Sequence, residues 1–141
     1  LNNLDMARSY LRQAEERVKR ASQALEDGNY AYVVRQSQEA VELSLKACLR
    51  IVGVEPPKWH DVGPVLRRER EKFPEWFRNS IDYLAMISRT LRREREVSMY
   101  GDEETGTPPD QLYSRLDAEQ ALEYAREAYS KAWKLYEEYS E

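Results

Sequence analysis

The 141-residue chain contains one cysteine, one histidine and five glycines, and each shortage removes a class of chemistry. A lone thiol, Cys48, cannot close an internal disulfide, which fits a reducing cytosol. With His60 it cannot assemble a zinc site from the usual nitrogen and sulfur ligands, so no metal is expected. Neither a Gly-x-x-x-x-Gly-Lys loop nor a Gly-x-Gly-x-x-Gly turn is present, which leaves no glycine-rich phosphate cradle and calls for no cofactor. Nor does any apolar run approach the roughly 18 residues a membrane helix needs. The first residues lack a basic leader followed by an apolar segment, so a cytoplasmic chain without a signal peptide is expected.

What the chain does contain is 41% apolar and 34% charged residues in 16.7 kDa, enough for one domain over residues 1–141. Leu4, Ala7, Leu11, Ala14, Val18, Ala21 and Leu25 recur at steps of three and four, which predicts a helix capped by Asn2 or Asn3. Asp27-Gly28-Asn29 stops it. A second helix runs from Tyr30 to about Val52, apolar around most of its circumference and therefore central. Gly53 and Pro56-Pro57 end it.

Asp61 is expected to cap a short helix reaching Lys72, with His60 satisfying a backbone carbonyl or amide at its entrance. Pro74 opens a longer helix whose stripe is Trp76, Phe77, Ile81, Leu84, Ile87 and Leu91. Its charged end is Arg92 to Glu96. Periodicity then fails from Met99 to Leu116, and a loop of this length in a small domain is often functional. Asp117 is expected to cap the last helix, whose face is Ala118, Ala121, Leu122, Ala125, Tyr129, Ala132, Tyr136 and Tyr139. These segments predict an all-α, up-and-down bundle of four long helices plus one short helix, built from two hairpins.

Charge is uneven along the chain. Residues 67–95 hold nine basic against five acidic groups, whereas residues 96–141 hold four against twelve. A basic stretch beside an unusual loop can attract phosphate, but such runs more often form solvated faces, here expected to pair with the acidic last helix. The acidic turn Tyr100-Gly101-Asp102-Glu103-Glu104 is expected to fold back on Arg92, Arg93 and Arg95. Glu42 and Lys46 have the favourable i,i+4 ion-pair order. Arg35, Gln36 and Gln38 either line a cleft or face solvent.

Four stretches, in order and spacing, resemble the HEPN (higher eukaryotes and prokaryotes nucleotide-binding) domain, particularly its stand-alone archaeal members. They are Leu25 to Tyr30; Arg35 to Ala47, similar to the family's Gln-x-Ala-x-Glu-x-x-Leu-Lys-Ala helix; Val54 to Val62, resembling its Pro-x-x-His-Asp-Leu segment; and Arg93 to Glu104 with Pro108-Pro109 and Leu112-Tyr113 after it. The resemblance implies a helical bundle that dimerises. It also implies one of several activities: metal-independent RNA cleavage, pairing with a small nucleotidyltransferase, or nucleotide binding.

Family ribonucleases use an Arg-x4-6-His motif near this point. Arg95, four intervening residues and Tyr100 match the spacing, with tyrosine in place of histidine. Relatives with an Arg-Tyr pair here are matched by Met99-Tyr100, so that arginine is also missing. A phenol titrates near 10 and an imidazole near 6.5, so Tyr100 is a poor neutral-pH base. The expectation is therefore a homodimeric module without an intact catalytic motif that binds a nucleotide, RNA or a nucleotidyltransferase partner. The candidate contacts are Arg35, Gln38, Lys46, Arg92, Arg93, Arg95, Tyr100 and Asp102. Two alternatives stay open: a ribonuclease toxin of a toxin–antitoxin pair using Arg95 with Tyr100 or His60, and a purely structural interaction module. Tyr32, Tyr113 and Tyr139, left over from the core, suit an interface.

Overall fold

The structure, a computed structural model, describes residues 2–141. Its helices are α1 (Asn3–Glu26), α2 (Tyr30–Ile51), α3 (Gly63–Arg68), α4 (Glu75–Arg78), α5 (Ile81–Arg92), α6 (Val97–Tyr100) and α7 (Arg115–Tyr139), with 3-10 turns at Arg70–Lys72 and Pro109–Gln111. Among the described residues there is no strand, only an isolated antiparallel bridge between Asp102 and Thr107. The all-α bundle expected from periodicity is present.

α1 begins where Asn2 Oδ1 accepts the Leu4 and Asp5 amides, at 2.8 and 3.3 Å, satisfying two donors that the first turn leaves open. Its alanines and Leu11 are buried, so α2 approaches closely along that row. α2 is covered on most sides: Val33, Val34, Ala40, Val41, Leu45, Ala47, Cys48 and Leu49 are all buried. Each large apolar side chain among them contributes roughly 1.5–3 kcal/mol by leaving water. Phe73 and Phe77 stack at 4.4 Å and close the end of the core formed by α3, α4 and α5.

Five local expectations are corrected. The short helix is capped at Val62 rather than Asp61 and ends at Arg68, with a 3-10 turn at Arg70–Lys72 where it was expected to continue; Asp61 Oδ1 accepts from the Gly63 amide at 3.2 Å and the Ser88 hydroxyl at 2.9 Å, tying the entrance to α5. That junction is tight because a Cβ on Gly63 would meet Ala85 Cα and Cβ at 3.0 Å. The helix expected from Pro74 is broken into α4 and α5 at Asn79-Ser80, residues whose side chains compete with helical backbone bonding. The longer part, α5, still supplies the fourth long helix beside α1, α2 and α7.

The last helix is capped by Ser114, with Asp117 as the reciprocal partner of a capping box. Nor do α5 and α7 form a second hairpin. α7 lies mainly against α2 and α1, while α5 packs chiefly on α3 and α2, because the alanine face of α7 fits the central helix. Tyr139, expected on that face, is exposed beyond the core.

Where charge becomes dense, α5 loses its regular form. The Glu94 and Arg95 amides bond the Leu91 and Arg92 carbonyls at 2.9 and 3.2 Å, a 3-10 pattern. This tightened stretch carries Arg95 across to α2.

Candidate functional site

The organising group is the Glu42 carboxylate on α2. Its Oε1 accepts from Gln38 Nε2 at 3.1 Å, His60 Nδ1 at 3.0 Å and Arg95 Nη1 at 3.3 Å; its Oε2 accepts from Lys46 Nζ at 3.0 Å. Gln38 and Lys46 lie four residues before and after Glu42, so one helical face presents all three. His60 arrives from the Pro-rich connection after α2, and Arg95 from the 3-10 stretch after α5. Arg95 Nη1 also donates to Gln38 Oε1 at 2.9 Å, which fixes the guanidinium against α2.

A second carboxylate, Glu39, sits one turn earlier. Its Oε1 accepts from Arg17 Nε on α1 at 2.9 Å and its Oε2 from Arg35 Nε at 2.8 Å. Arg35 Nη1 donates in turn to the Arg95 carbonyl. Arg17, Glu39, Glu42, Leu43 and Arg95 line an open cleft of about 190 Å³. Around it stand four cations (Arg17, Arg35, Lys46 and Arg95) and two carboxylates. The local balance is positive even with His60 neutral.

Burial works to raise the Glu42 carboxyl, but the hydrogen bonds from Lys46, His60 and Gln38 outweigh it and hold it below the usual carboxylate range. An ionised carboxylate only accepts, so the proton of the His60–Glu42 bond is on Nδ1. In the neutral ring Nε2 is then the proton acceptor. The imidazole is 41% exposed and the Arg95 side chain 28% exposed, whereas Glu42 is only 15% exposed. A screened acid thus orients two groups that remain within reach of solvent.

Of the residues expected from sequence, Arg35, Gln38, Lys46, His60 and Arg95 converge here. His60 is corrected: its ring nitrogen bonds the Glu42 side chain and not a backbone group at a helix entrance. Tyr100 does not join Arg95. It is exposed and lines a separate groove with Glu96, Gly101, Asp102 and Leu112. Asp102 turns inward on its own loop, where Oδ1 accepts the Glu104 and Thr105 amides at 3.0 and 3.3 Å.

The acidic turn therefore does not fold back on the arginines: among the described residues no salt bridge joins it to Arg92, Arg93 or Arg95. Arg92 and Arg93 are not drawn into the Glu42 cluster. The basic stretch does not pair with α7 either; Arg67 bonds Asp82, and Arg68 and Lys72 lie near Glu69. Tyr113 is not free for an interface. Its hydroxyl donates to Glu94 Oε1 at 2.7 Å, and burial together with that carboxylate pushes the phenol well above its ordinary range.

Sequence reasoning missed the shared role of Glu42 and the part of Arg17. The i,i+4 arrangement of Gln38, Glu42 and Lys46 was a usable signal. Nothing in the spacing pointed to Arg17, which is a helix away.

With this geometry in view, the chain matches the family model described as "HEPN domain" over residues 7–135. A solved structure, that of TT1696 from Thermus thermophilus, is similar at 25% identity with a TM-score of 0.75, covering 96% of this chain and 99% of that one. No curated protein matches. A match over so much of the length, with the helical bundle to accompany it, places the chain in the HEPN domain family.

Proposed function

We propose that the protein is a homodimeric RNA- or nucleotide-binding HEPN domain whose phosphate contact is the cleft between Arg17 and Arg95, with His60 beside it. The observation that carries the reading is that one oxygen, Glu42 Oε1, holds both His60 Nδ1 and Arg95 Nη1. A carboxylate spent on orienting an arginine and an imidazole, inside a locally positive cleft, suits an anionic sugar-phosphate. The family's dimerisation and nucleotidyltransferase pairing extend the reading to a second copy of the chain and to such a partner.

The test is fluorescence anisotropy with labelled single-stranded RNA in chelator, for wild type, Arg95→Gln and His60→Asn. Binding should weaken about tenfold in Arg95→Gln and fall with salt. Equal affinity in all three proteins overturns the assignment of the site, and absence of binding to RNA and to nucleotides returns the protein to a structural interaction module. Light scattering across concentrations tests the dimer, which a persistent monomer contradicts. Capture of a minimal nucleotidyltransferase from native extract tests the partner.

A second reading, metal-independent cleavage, is favoured by the Nδ1 tautomer that Glu42 imposes. His60 Nε2 would take the proton of a ribose 2′-hydroxyl. The 2′-oxygen would then attack the adjacent phosphorus, breaking the P–O5′ bond and leaving a 2′,3′-cyclic phosphate. The departing 5′-oxygen would take a proton from water, and Arg95 would balance charge on the phosphoryl oxygens. The same reactions run on a denaturing gel decide it: products that vanish in His60→Asn and on 2′-deoxy substitution support cleavage, and intact RNA refutes it. Growth arrest relieved by His60→Asn would mark a toxin.

A further inference from the structure

Next to the charged cleft lies an open groove of about 360 Å³, walled on one side by the start of α2 and on the other by Met99 and Pro109. Tyr32 is 41% exposed and Met99 46% exposed, two large apolar groups left in water on the same groove. Arg35 and Gln36 follow Tyr32 by three and four residues, so they share its face of the helix. Arg35 belongs to both places, lining the groove while donating to Glu39 and to the Arg95 carbonyl. Glu39 lines both hollows as well, so they adjoin.

We propose that this groove is a nucleobase subsite of the RNA strand whose phosphate occupies the Arg17–Arg95 cleft, with the base stacked on Tyr32 and the edge of the Arg35 guanidinium. The proposal rests on the RNA-binding reading and adds the base to it. A π-face beside a cationic track is how single strands are held without regard to sequence, and a thioether such as Met99 is an adaptable second wall.

Charge sets which side of the groove takes the base and which the phosphate. Asp110, exposed at the rim, repels phosphate and can accept from an exocyclic base amine, whereas Glu39 is already neutralised by two arginines. The phosphate therefore belongs on the arginine side and the base on the Tyr32 side. From Tyr32 to Glu39 the helix rises roughly 10 Å, a span that one nucleotide can bridge from base to phosphate. Gln36 offers both a donor and an acceptor to a base edge.

The experiment uses the full chain and a short single-stranded RNA containing 2-aminopurine, whose fluorescence falls on stacking. Wild type should quench the probe. Tyr32→Leu, which keeps an apolar side chain but removes the π-face, should abolish the quench and weaken binding about tenfold with the salt dependence unchanged. Tyr32→Phe should restore both. If Tyr32→Leu binds and quenches like wild type while Arg95→Gln still weakens binding, the base subsite is wrong and the phosphate cleft stands. If Tyr32→Leu converts a dimer to a monomer, the groove is a contact between copies and the proposal fails. If wild type binds no RNA, both readings fall together.

Discussion

Replacing Glu42 with glutamine tests the hub of the site while nearly preserving its shape. The carboxylate accepts four hydrogen bonds, from Gln38, His60, Arg95 and Lys46. An exposed ion pair is worth roughly 0–1 kcal/mol, and removing one partner of a fully buried pair costs about 3–5 kcal/mol. Glu42 is 15% exposed and Arg95 28% exposed, which places the site between these limits. We expect a loss of about 2 kcal/mol, read in urea as a lower midpoint with an unchanged slope, and a Tm lower by roughly 6–8 °C for a chain of this size.

The pH dependence carries its own sign. A carboxyl held below its unfolded value stabilises the fold above that value, and the contribution disappears as pH falls through the lowered folded value. The stability gap between wild type and Glu42→Gln should therefore be full at neutral pH and close under acid conditions. A gap below about 0.5 kcal/mol at pH 7, or one that widens on acidification, would refute the account of Glu42 as a screened, charge-organising acid.

Other variants probe the frame around the site. Gly101→Ala should destabilise by at least about 2 kcal/mol, because φ is +84° and the new Cβ would clash with the Thr107 carbonyl oxygen; hydrogen exchange at Asp102 and Thr107 should rise first. Tyr113→Phe should cost about 1–2 kcal/mol in denaturant melts by leaving Glu94 without its donor. Leu45→Ala, at a fully buried position of α2, should cost about 2–5 kcal/mol. Cys48 is buried, and desolvation pushes its thiol well up, so a thiol reagent should label it only in denaturant; rapid labelling of the native protein would mean that α2 is not covered as described.

The three longest helices, α1, α2 and α7, were legible in the chain's own order of residues, because each burial pattern lies within one segment. Leu4 to Leu25 and Ala118 to Ala132 read as stripes, and Asp27-Gly28-Asn29 and Gly53 read as stops. The Glu42–Lys46 pair was legible for the same reason, since four residues of helix fix its geometry. That His60, 18 residues away, and Arg95, 53 residues away, meet on the same oxygen is set by the packed fold. Neither belongs to a periodic pattern: one follows a pair of prolines and the other sits where α5 tightens into a 3-10 turn. Side chains converging from irregular segments are placed by the packing of α3 on α5 and of α5 on α2, which a one-dimensional spacing rule does not encode.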